Sequence, residues 1–147
     1  MVRVASHCTE ADTTQKHIGF ARERGKEVYG VLMMSHMVPG EVLLQECRKM
    51  ESYGAEGVIL MDSAGASLPV EVSDKIKILV DHLNIAVGYH AHNNLGLAVA
   101  NSLAAAQAGA VILDGTACGF GAGAGNTPLE VLVAVLEKCG FLSLIHI

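Results

Sequence analysis

The sequence has no tryptophan, only three tyrosines and three phenylalanines, and few charged residues, which make up 17% of its 147 positions. Hydrophobic residues make up 51%, and most of them are aliphatic, which is typical of parallel strands buried beneath helices. This composition excludes a disordered chain and a collagen. The length suits one domain of roughly 100–200 residues, large enough to bury its own core.

Long uninterrupted hydrophobic runs and basic clusters are also missing. The richest apolar stretch, residues 95–113, is broken by Asn101, Ser102 and Gln107, so it falls short of the roughly 20 apolar residues of a membrane helix. The 10 lysines and arginines are scattered among 15 acidic residues, giving a net charge of −5. Nucleic-acid binding needs a clustered basic surface. We therefore predict neither a membrane nor a nucleic-acid partner.

The four cysteines form no CxxC pair and lie far apart. In a chain of this length they are typical of reduced thiols rather than a disulfide framework. The N-terminus leads directly from Met1 into a strand-like V-R-V-A segment, without the pattern of a signal peptide. These features predict a cytoplasmic protein.

Short β-like runs alternate with helical patterns along the whole chain. We predict strands at 2–5, 28–34, 58–62, 85–90 and 111–114, and helices at 12–24, 41–53, 70–83, 95–108 and 128–139. Proline stands near the start of three of these helices and glycine follows four of them, which is the asymmetry of helix boundaries. The strands recur about every 26–30 residues, a spacing that fits helical crossovers between parallel neighbours.

Five such β-α units fit two α/β architectures, an open doubly wound sheet or part of a (β/α)8 barrel. A complete barrel needs at least about 200 residues, so the chain is too short to close one. In both architectures, sites lie at the carboxyl ends of the parallel strands. Periodicity alone leaves the two open.

The strand end G-Y-H-A-H-N-N carries His90 and His92. Residues two apart in a strand point to the same face, so both imidazoles face the same way at the edge where sites form. This spacing favours a shared divalent metal, which imidazole binds well. The alternative is a pair of partly buried, hydrogen-bonded histidines.

Two loops are predicted to reach the same edge. Ser63 follows the third strand in M-D-S-A-G-A, where it either hydrogen-bonds a substrate carboxylate or carbonyl or begins the next helix as an N-cap. Asn126 lies within the glycine-rich loop 119–130, where it is predicted to be a carbonyl-oxygen ligand or a helix cap, of which the cap is favoured. That loop suits an anion or a metal-bound ligand. It lacks the features of a dinucleotide fingerprint and of a P-loop.

Further candidates lie near the first strand. His7 and Thr9 follow it closely and are expected to line the site. Cys8 has no evident paired base, so a nucleophilic role is disfavoured. His17 and His82 fall within predicted helices and are expected to lie on the surface.

Six motifs make the sequence recognisable. They are R-V-A-S-H-C-T-E-A-D, L-M-M-S-H-M, M-E-S-Y-G-A, M-D-S-A-G-A, G-Y-H-A-H-N-N-L and G-A-G-A-G-N-T-P-L-E. Their order and spacing closely resemble the 4-hydroxy-2-oxovalerate aldolase family, metal-dependent pyruvate aldolases in a superfamily with HMG-CoA lyase and isopropylmalate synthase. The resemblance runs from about residue 2 to 141, and the tail 142–147 has no counterpart that we recognise.

The resemblance implies an α/β fold, a partial (β/α)8 barrel, in which residues 1–141 supply strands four to eight of the catalytic domain. It implies that His90 and His92 bind Mn²⁺, with His90 also close to the substrate. Ser63 matches a serine that contacts the pyruvate moiety. Asn126 matches an asparagine that ligates the metal in the HMG-CoA lyase branch.

The implied reaction is retro-aldol cleavage of 4-hydroxy-2-oxopentanoate, a 2-oxo acid of aromatic meta-cleavage catabolism, to pyruvate and acetaldehyde. The family's arginine-aspartate pair, which supplies the third metal ligand, and its general-base histidine have no match in this chain. The region that docks an acylating acetaldehyde dehydrogenase has none either. We therefore assign no catalytic base here and expect the isolated chain to be inactive. Asn93 also stands where we expect histidine in relatives.

Two alternatives remain. The chain is another enzyme of the superfamily, such as an acyl-transferring synthase or lyase, or it is a non-catalytic half-barrel that self-associates through its open strand edges.

Overall fold

The computed structural model describes residues 1–141, so the predicted tail 142–147 lies outside the described residues. Strands β1 to β5 are Val2–His7, Val28–Met33, Gly57–Asp62, Ala86–Ala91 and Ile112–Leu113. Helices α1 to α5 are Gln15–Glu23, Gly40–Ser52, Pro69–His82, Ala98–Gln107 and Leu129–Lys138. Short 3-10 turns occupy Ala11–Thr14, Ser35–Met37 and Ala117–Gly119. The predicted alternation of strands and helices is confirmed.

All neighbouring strands pair in parallel, and their order in the sheet, β1-β2-β3-β4-β5, is their order in the sequence. A doubly wound sheet reverses its strand order at a switch point. A barrel wall continues in one direction. The order therefore excludes the doubly wound alternative and identifies the sheet as an arc of a barrel.

The curvature of this arc is visible in one contact between its outermost strands. Arg3, in β1, contacts Asp114, directly after β5, with nitrogen–oxygen distances of 2.6 and 2.8 Å. In a flat sheet these strands would lie about 19 Å apart at the usual interstrand spacing, too far for two side chains to meet. The sheet is bent, and both side chains lie on its concave face.

The convex face of the sheet packs against the helices and forms the main core. Apolar residues that alternate along the strands point into this layer and meet apolar helix faces. The buried residues of this core include Val28, Leu32, Val58, Leu60 and Val87 from the strands and Leu43, Met50, Ile76 and Leu79 from the helices. The side chains under the helices are thus fully buried, while much of the concave face remains accessible.

Most element boundaries differ from the prediction by one or two residues, and three elements differ in ways that bear on the fold. The first predicted helix begins as the separate 3-10 turn Ala11–Thr14, held by a hydrogen bond from the Ala11 amide to the buried Glu46 carboxylate. Helix α4 begins at Ala98, three residues later than predicted, where the Ala98 amide donates to Asn93 Oδ1. Strand β5 has only two residues. Within residues 1–141, no helix is long and apolar enough to span a bilayer.

We expect Leu79→Ala, in the core between sheet and α3, to lower the free energy of unfolding by about 2–5 kcal/mol through lost burial and a cavity. Leu129→Ala is the matched control, because Leu129 is 44% exposed and should cost about 1 kcal/mol or less. Urea unfolding followed by circular dichroism measures both. Equal losses in the two variants would contradict this assignment of the core.

Candidate metal and substrate site

His90 and His92 lie at the carboxyl end of β4 and, as alternating residues, share the concave face. Their ring centroids are 5.3 Å apart, with ring planes inclined at 52°. Both side chains are partly exposed. The predicted juxtaposition of two imidazoles at the sheet edge is therefore present.

His90 is oriented by a carboxylate from the neighbouring strand. Its Nδ1 lies 3.0 Å from Asp114 Oδ2. The Asp114 carboxylate also accepts hydrogen bonds from both terminal nitrogens of Arg3. Burial alone would raise the pKa of Asp114, but the hydrogen bonds from His90 and Arg3 outweigh it and lower the pKa to about 2. Because an ionised carboxylate only accepts hydrogen bonds, Nδ1 of His90 carries the hydrogen. The lone pair of its other nitrogen, Nε2, is left for a ligand.

Ser63 follows β3 and accepts a hydrogen bond at Oγ from the Met34 backbone amide, 3.0 Å away. Met34 has φ of 57°, a left-handed conformation that non-glycine residues rarely adopt. The Ser63 hydroxyl hydrogen remains available to donate to an anionic group. The N-cap interpretation of Ser63 is wrong, because α3 begins at Pro69 with Leu68 as its N-cap.

The loop that carries Ser63 is held by the buried side chain of Asp62. Its two carboxylate oxygens accept the Ala66 and Ser67 backbone amides at 3.2 and 2.9 Å. Gly65 has φ of +57°, and a Cβ there would lie 2.7 Å from the His92 carbonyl oxygen. Glycine is therefore required for this loop to pack against the histidine strand.

Asn126 does not cap a helix, because α5 begins at Leu129 with Pro128 as its N-cap; the favoured cap interpretation is wrong. Instead, Asn126 pairs with His92 in an isolated antiparallel bridge. Within residues 1–141, its side-chain oxygen Oδ1 is buried without a hydrogen-bond partner. The glycine loop passes so close that a Cβ on Gly121 would overlap the Asn126 amide.

These donors fit a divalent cation. Two imidazoles face one side of β4, and a buried amide oxygen without a partner stands on the residue bridged to His92. Buried polar atoms are normally satisfied, so the unpartnered Asn126 oxygen is a candidate metal ligand. Nitrogen and carbonyl-oxygen donors suit first-row divalent metals. Among residues 1–141, no group of three or more histidine, cysteine or acidic side chains is arranged around a metal, so this set is a partial one.

The other candidates have different surroundings. His7 Nδ1 is 2.9 Å from Thr9 Oγ1, so these two side chains bind each other. Cys8 is fully buried, and burial raises the pKa of its thiol, which disfavours a nucleophile. His17 and His82 are exposed on helices, as predicted.

Arg3 and Asp114 were not among the residues predicted for the site. Asp114 stands at the end of the last predicted strand, and a carboxylate at the carboxyl edge of a parallel sheet is a usable signal. Arg3 gives no such signal, because its partner is 111 residues away along the chain.

The HMGL-like family matches residues 5–146. The chain belongs to the HMGL-like family. Its (β/α)8 neighbours among solved structures include a putative aldolase N-terminal domain from Bacteroides vulgatus, 29% identical with a TM-score of 0.84, covering 97% of this chain and 48% of that one. HMG-CoA lyase from Bacillus subtilis is 21% identical with a TM-score of 0.86, covering 96% and 56%, and supports the fold alone. The predicted partial (β/α)8 barrel is confirmed.

Curated relatives named 4-hydroxy-2-oxovalerate aldolase match nearly the whole chain. A 4-hydroxy-2-oxovalerate aldolase from Spirochaeta aurantia is 61% identical over 140 residues, and one from Pectobacterium atrosepticum is 62% identical over 141. These alignments cover 95% and 96% of this chain, which spans about two fifths, 41%, of each relative. The resemblance to this aldolase family is confirmed.

We expect Gly65→Ala to destabilise the chain more than Gly96→Ala. Both glycines have positive φ, but a Cβ on Gly96 would meet nothing within 4 Å, whereas one on Gly65 would clash with backbone at the histidine strand. Gly96→Ala should cost about 1 kcal/mol from its backbone conformation, and Gly65→Ala distinctly more. Thermal melts measure the difference, and equal melting temperatures would contradict the proposed close approach.

Proposed function

We propose that this chain forms part of the active site of a divalent metal-dependent aldolase that cleaves 4-hydroxy-2-oxopentanoate to pyruvate and acetaldehyde. The observation that carries the proposal is the pair of histidines at the end of β4, with Asn126, whose Oδ1 is buried without a partner among the described residues, bridged to His92. Identity of 61% to a named 4-hydroxy-2-oxovalerate aldolase supports the substrate class. The cleavage is a retro-aldol reaction of a short 2-oxo acid.

In this proposal, His90 and His92 hold the cation, and Asn126 Oδ1 is a candidate third donor from this chain. We propose Mn²⁺, which accepts nitrogen and carbonyl-oxygen donors. When bound, such a cation acts as a Lewis acid that stabilises negative charge developing on the 2-keto oxygen. The Ser63 hydroxyl, free to donate, orients the substrate carboxylate.

The 63–67 loop and the glycine loop both bond to the segment directly after β4, where the Leu95 amide donates to the Gly65 carbonyl and the Asn93 amide donates to the Gly125 carbonyl. Together they frame the histidines with backbone rather than bulky side chains. We assign no general base to a residue of this chain, and we propose a cytoplasmic enzyme that, in its full form, contacts an acylating acetaldehyde dehydrogenase.

We expect the 147-residue chain alone to bind Mn²⁺ weakly and to form little or no pyruvate, because its donor set is partial. A chimera tests the residues in context: this chain's matched segment replaces the corresponding 140 residues of the Spirochaeta aurantia relative. With Mn²⁺, the chimera should release pyruvate, measured by coupling to lactate dehydrogenase. His92→Ala should lower kcat/KM by at least about 100-fold. Altering a residue that only supports a metal ligand costs up to about 100-fold, and the loss of a ligand itself should cost at least as much.

His82→Ala is the matched control in the chimera, because His82 is an exposed histidine on α3 and should leave kcat/KM unchanged. Folding of each variant is checked by circular dichroism. A folded chimera that binds Mn²⁺ but forms no pyruvate would contradict the aldolase proposal. Acyl transfer from an acyl-CoA to a 2-oxo acid by the same chimera would favour the alternative synthase function.

A second proposal concerns the isolated chain. β1 is an outer strand of the described sheet, and outer strands with unpaired backbone groups favour association. Beside it lies a groove of about 840 Å³, lined in part by Val2, Val4 and Phe20. Val2 and Phe20 are 36% and 58% exposed. We propose that this chain self-associates in solution through the β1 edge and this groove.

We expect light scattering after size-exclusion chromatography to give a mass above that of a monomer. Phe20→Glu should shift the chain toward monomer, because it places a charge in the groove. Val131→Glu, an exposed position on α5, is the control and should leave the mass unchanged. A monomeric unmodified chain would contradict self-association.

A further inference from the structure

A hydrogen-bonded network of three side chains, Arg3, Asp114 and His90, connects the first, last and fourth strands of the arc. Arg3 in β1 donates through Nη1 and Nη2 to the two oxygens of Asp114, at 2.6 and 2.8 Å. Oδ2 of Asp114 also lies 3.0 Å from Nδ1 of His90 in β4. The carboxylate therefore joins both outer strands of the arc to the histidine strand.

In each hydrogen bond of this network, the donor and the acceptor are defined. A guanidinium is a rigid fork that grips a carboxylate in one plane, so Arg3 fixes the rotation of the Asp114 carboxylate. The carboxylate accepts from Nδ1–H of His90, and this sets which nitrogen of the neutral ring carries hydrogen. The ring then presents its unprotonated Nε2 away from Asp114.

We infer that Asp114 is a positioning residue that holds His90 in its Nδ1–H tautomer with Nε2 available to a divalent metal, and that Arg3 orients Asp114 for this task. Ligating histidines commonly donate their second ring N–H to a carboxylate, which fixes the ring and increases its basicity. Here the carboxylate is itself held across the curvature of the sheet. The inference rests on the proposed function for its metal, but its tautomer claim holds for the metal-free chain.

His92 provides an internal comparison. It lies two residues from His90 on the same strand, with the rings 5.3 Å apart, but the described contacts of Asp114 are to His90 and Arg3. Removal of the Asp114 carboxylate should therefore change the tautomer of His90 and leave that of His92 unaltered. A general loosening of the site would alter both rings.

The first experiment reads the tautomer directly in the metal-free, ¹⁵N-histidine-labelled chain, by long-range ¹H–¹⁵N correlation at a pH where the imidazoles are neutral. Unmodified His90 should show the Nδ1–H pattern. Asp114→Ala should shift it toward Nε2–H, the form that free imidazole side chains favour. Asp114→Asn should largely retain the Nδ1–H pattern, because its amide oxygen still accepts, and Asp81→Ala, at an exposed aspartate, should change nothing.

The second experiment titrates the same variants with Mn²⁺ alone, followed by the loss of its free-ion electron paramagnetic resonance signal. Asp114→Ala should weaken binding by about 10–100-fold, with a smaller loss in Asp114→Asn and none in Asp81→Ala. Arg3→Lys keeps the charge but loses the fork, so it should weaken binding several-fold and give a mixed His90 tautomer. Arg3→Lys also replaces Asp114→Ala as the test variant if circular dichroism shows that Asp114→Ala is unfolded.

An unchanged His90 tautomer in folded Asp114→Ala, or in Arg3→Lys if the alanine variant is unfolded, would overturn the inference. Equal tautomer shifts in His90 and His92 would also overturn it, because they would indicate general loosening. A selective shift of His90 in a chain that binds no Mn²⁺ would support the positioning role of Asp114 and count against the proposed metal function. The two failures are thus distinguishable.

Discussion

The pairing of Arg3 with Asp114 is the interaction on which the geometry of this site depends. It exists only because the sheet curves enough for its first and last strands to face each other. The same carboxylate contacts His90, so the orientation of this imidazole depends on the curvature of the sheet. Asp114 is only 15% exposed and Arg3 36%; partial shielding from water makes such a bidentate pair stronger than an exposed one.

Glycines allow the loops of the site to approach the histidine strand closely. Gly65 and Gly121 stand where a side chain would overlap the His92 carbonyl or the Asn126 amide. The loops can therefore bond to β4 through their backbones, as in the Thr127 amide to the Ala91 carbonyl at 3.2 Å. A concave face built this way keeps polar side chains close together without filling the space between them.

The fold was largely predictable from the sequence because local signals are repeated five times: an aliphatic strand, a helix, and a glycine or proline at the boundary. The histidine pair was predictable for the same reason, since alternation along one strand is a local property. The contacts of Ser63 with Met34 and of Asp114 with Arg3 were not, because they join residues 29 and 111 positions apart. They depend on the register and curvature of the sheet.

The two wrong cap interpretations have a common physical cause. Serine and asparagine near a helix start are statistically good caps, but these two helices begin at a proline or directly after one, with Leu68 and Pro128 in the N-cap positions. The Leu68 amide donates to the Glu71 carboxylate instead. Pro69 occupies the first turn of α3, and Pro128 precedes α5. Both polar side chains are thereby released from capping, and both lie near the sheet edge, where Ser63 contacts the β2 end and Asn126 pairs with His92.

The arrangement of the donors before a cation binds affects the metal affinity that we expect of this partial site. In the proposed site, His90 at the end of β4 and His92 directly after it are the metal ligands, and His90 is already oriented by Asp114 and Arg3, so less ordering is needed when a cation binds. Each tenfold in affinity corresponds to about 1.4 kcal/mol, which is the scale of a single well-made hydrogen bond to a charged group. Weak binding by this chain would therefore reflect the number of its donors rather than their disorder. Donors added from outside the chain would meet a half-site that is already arranged.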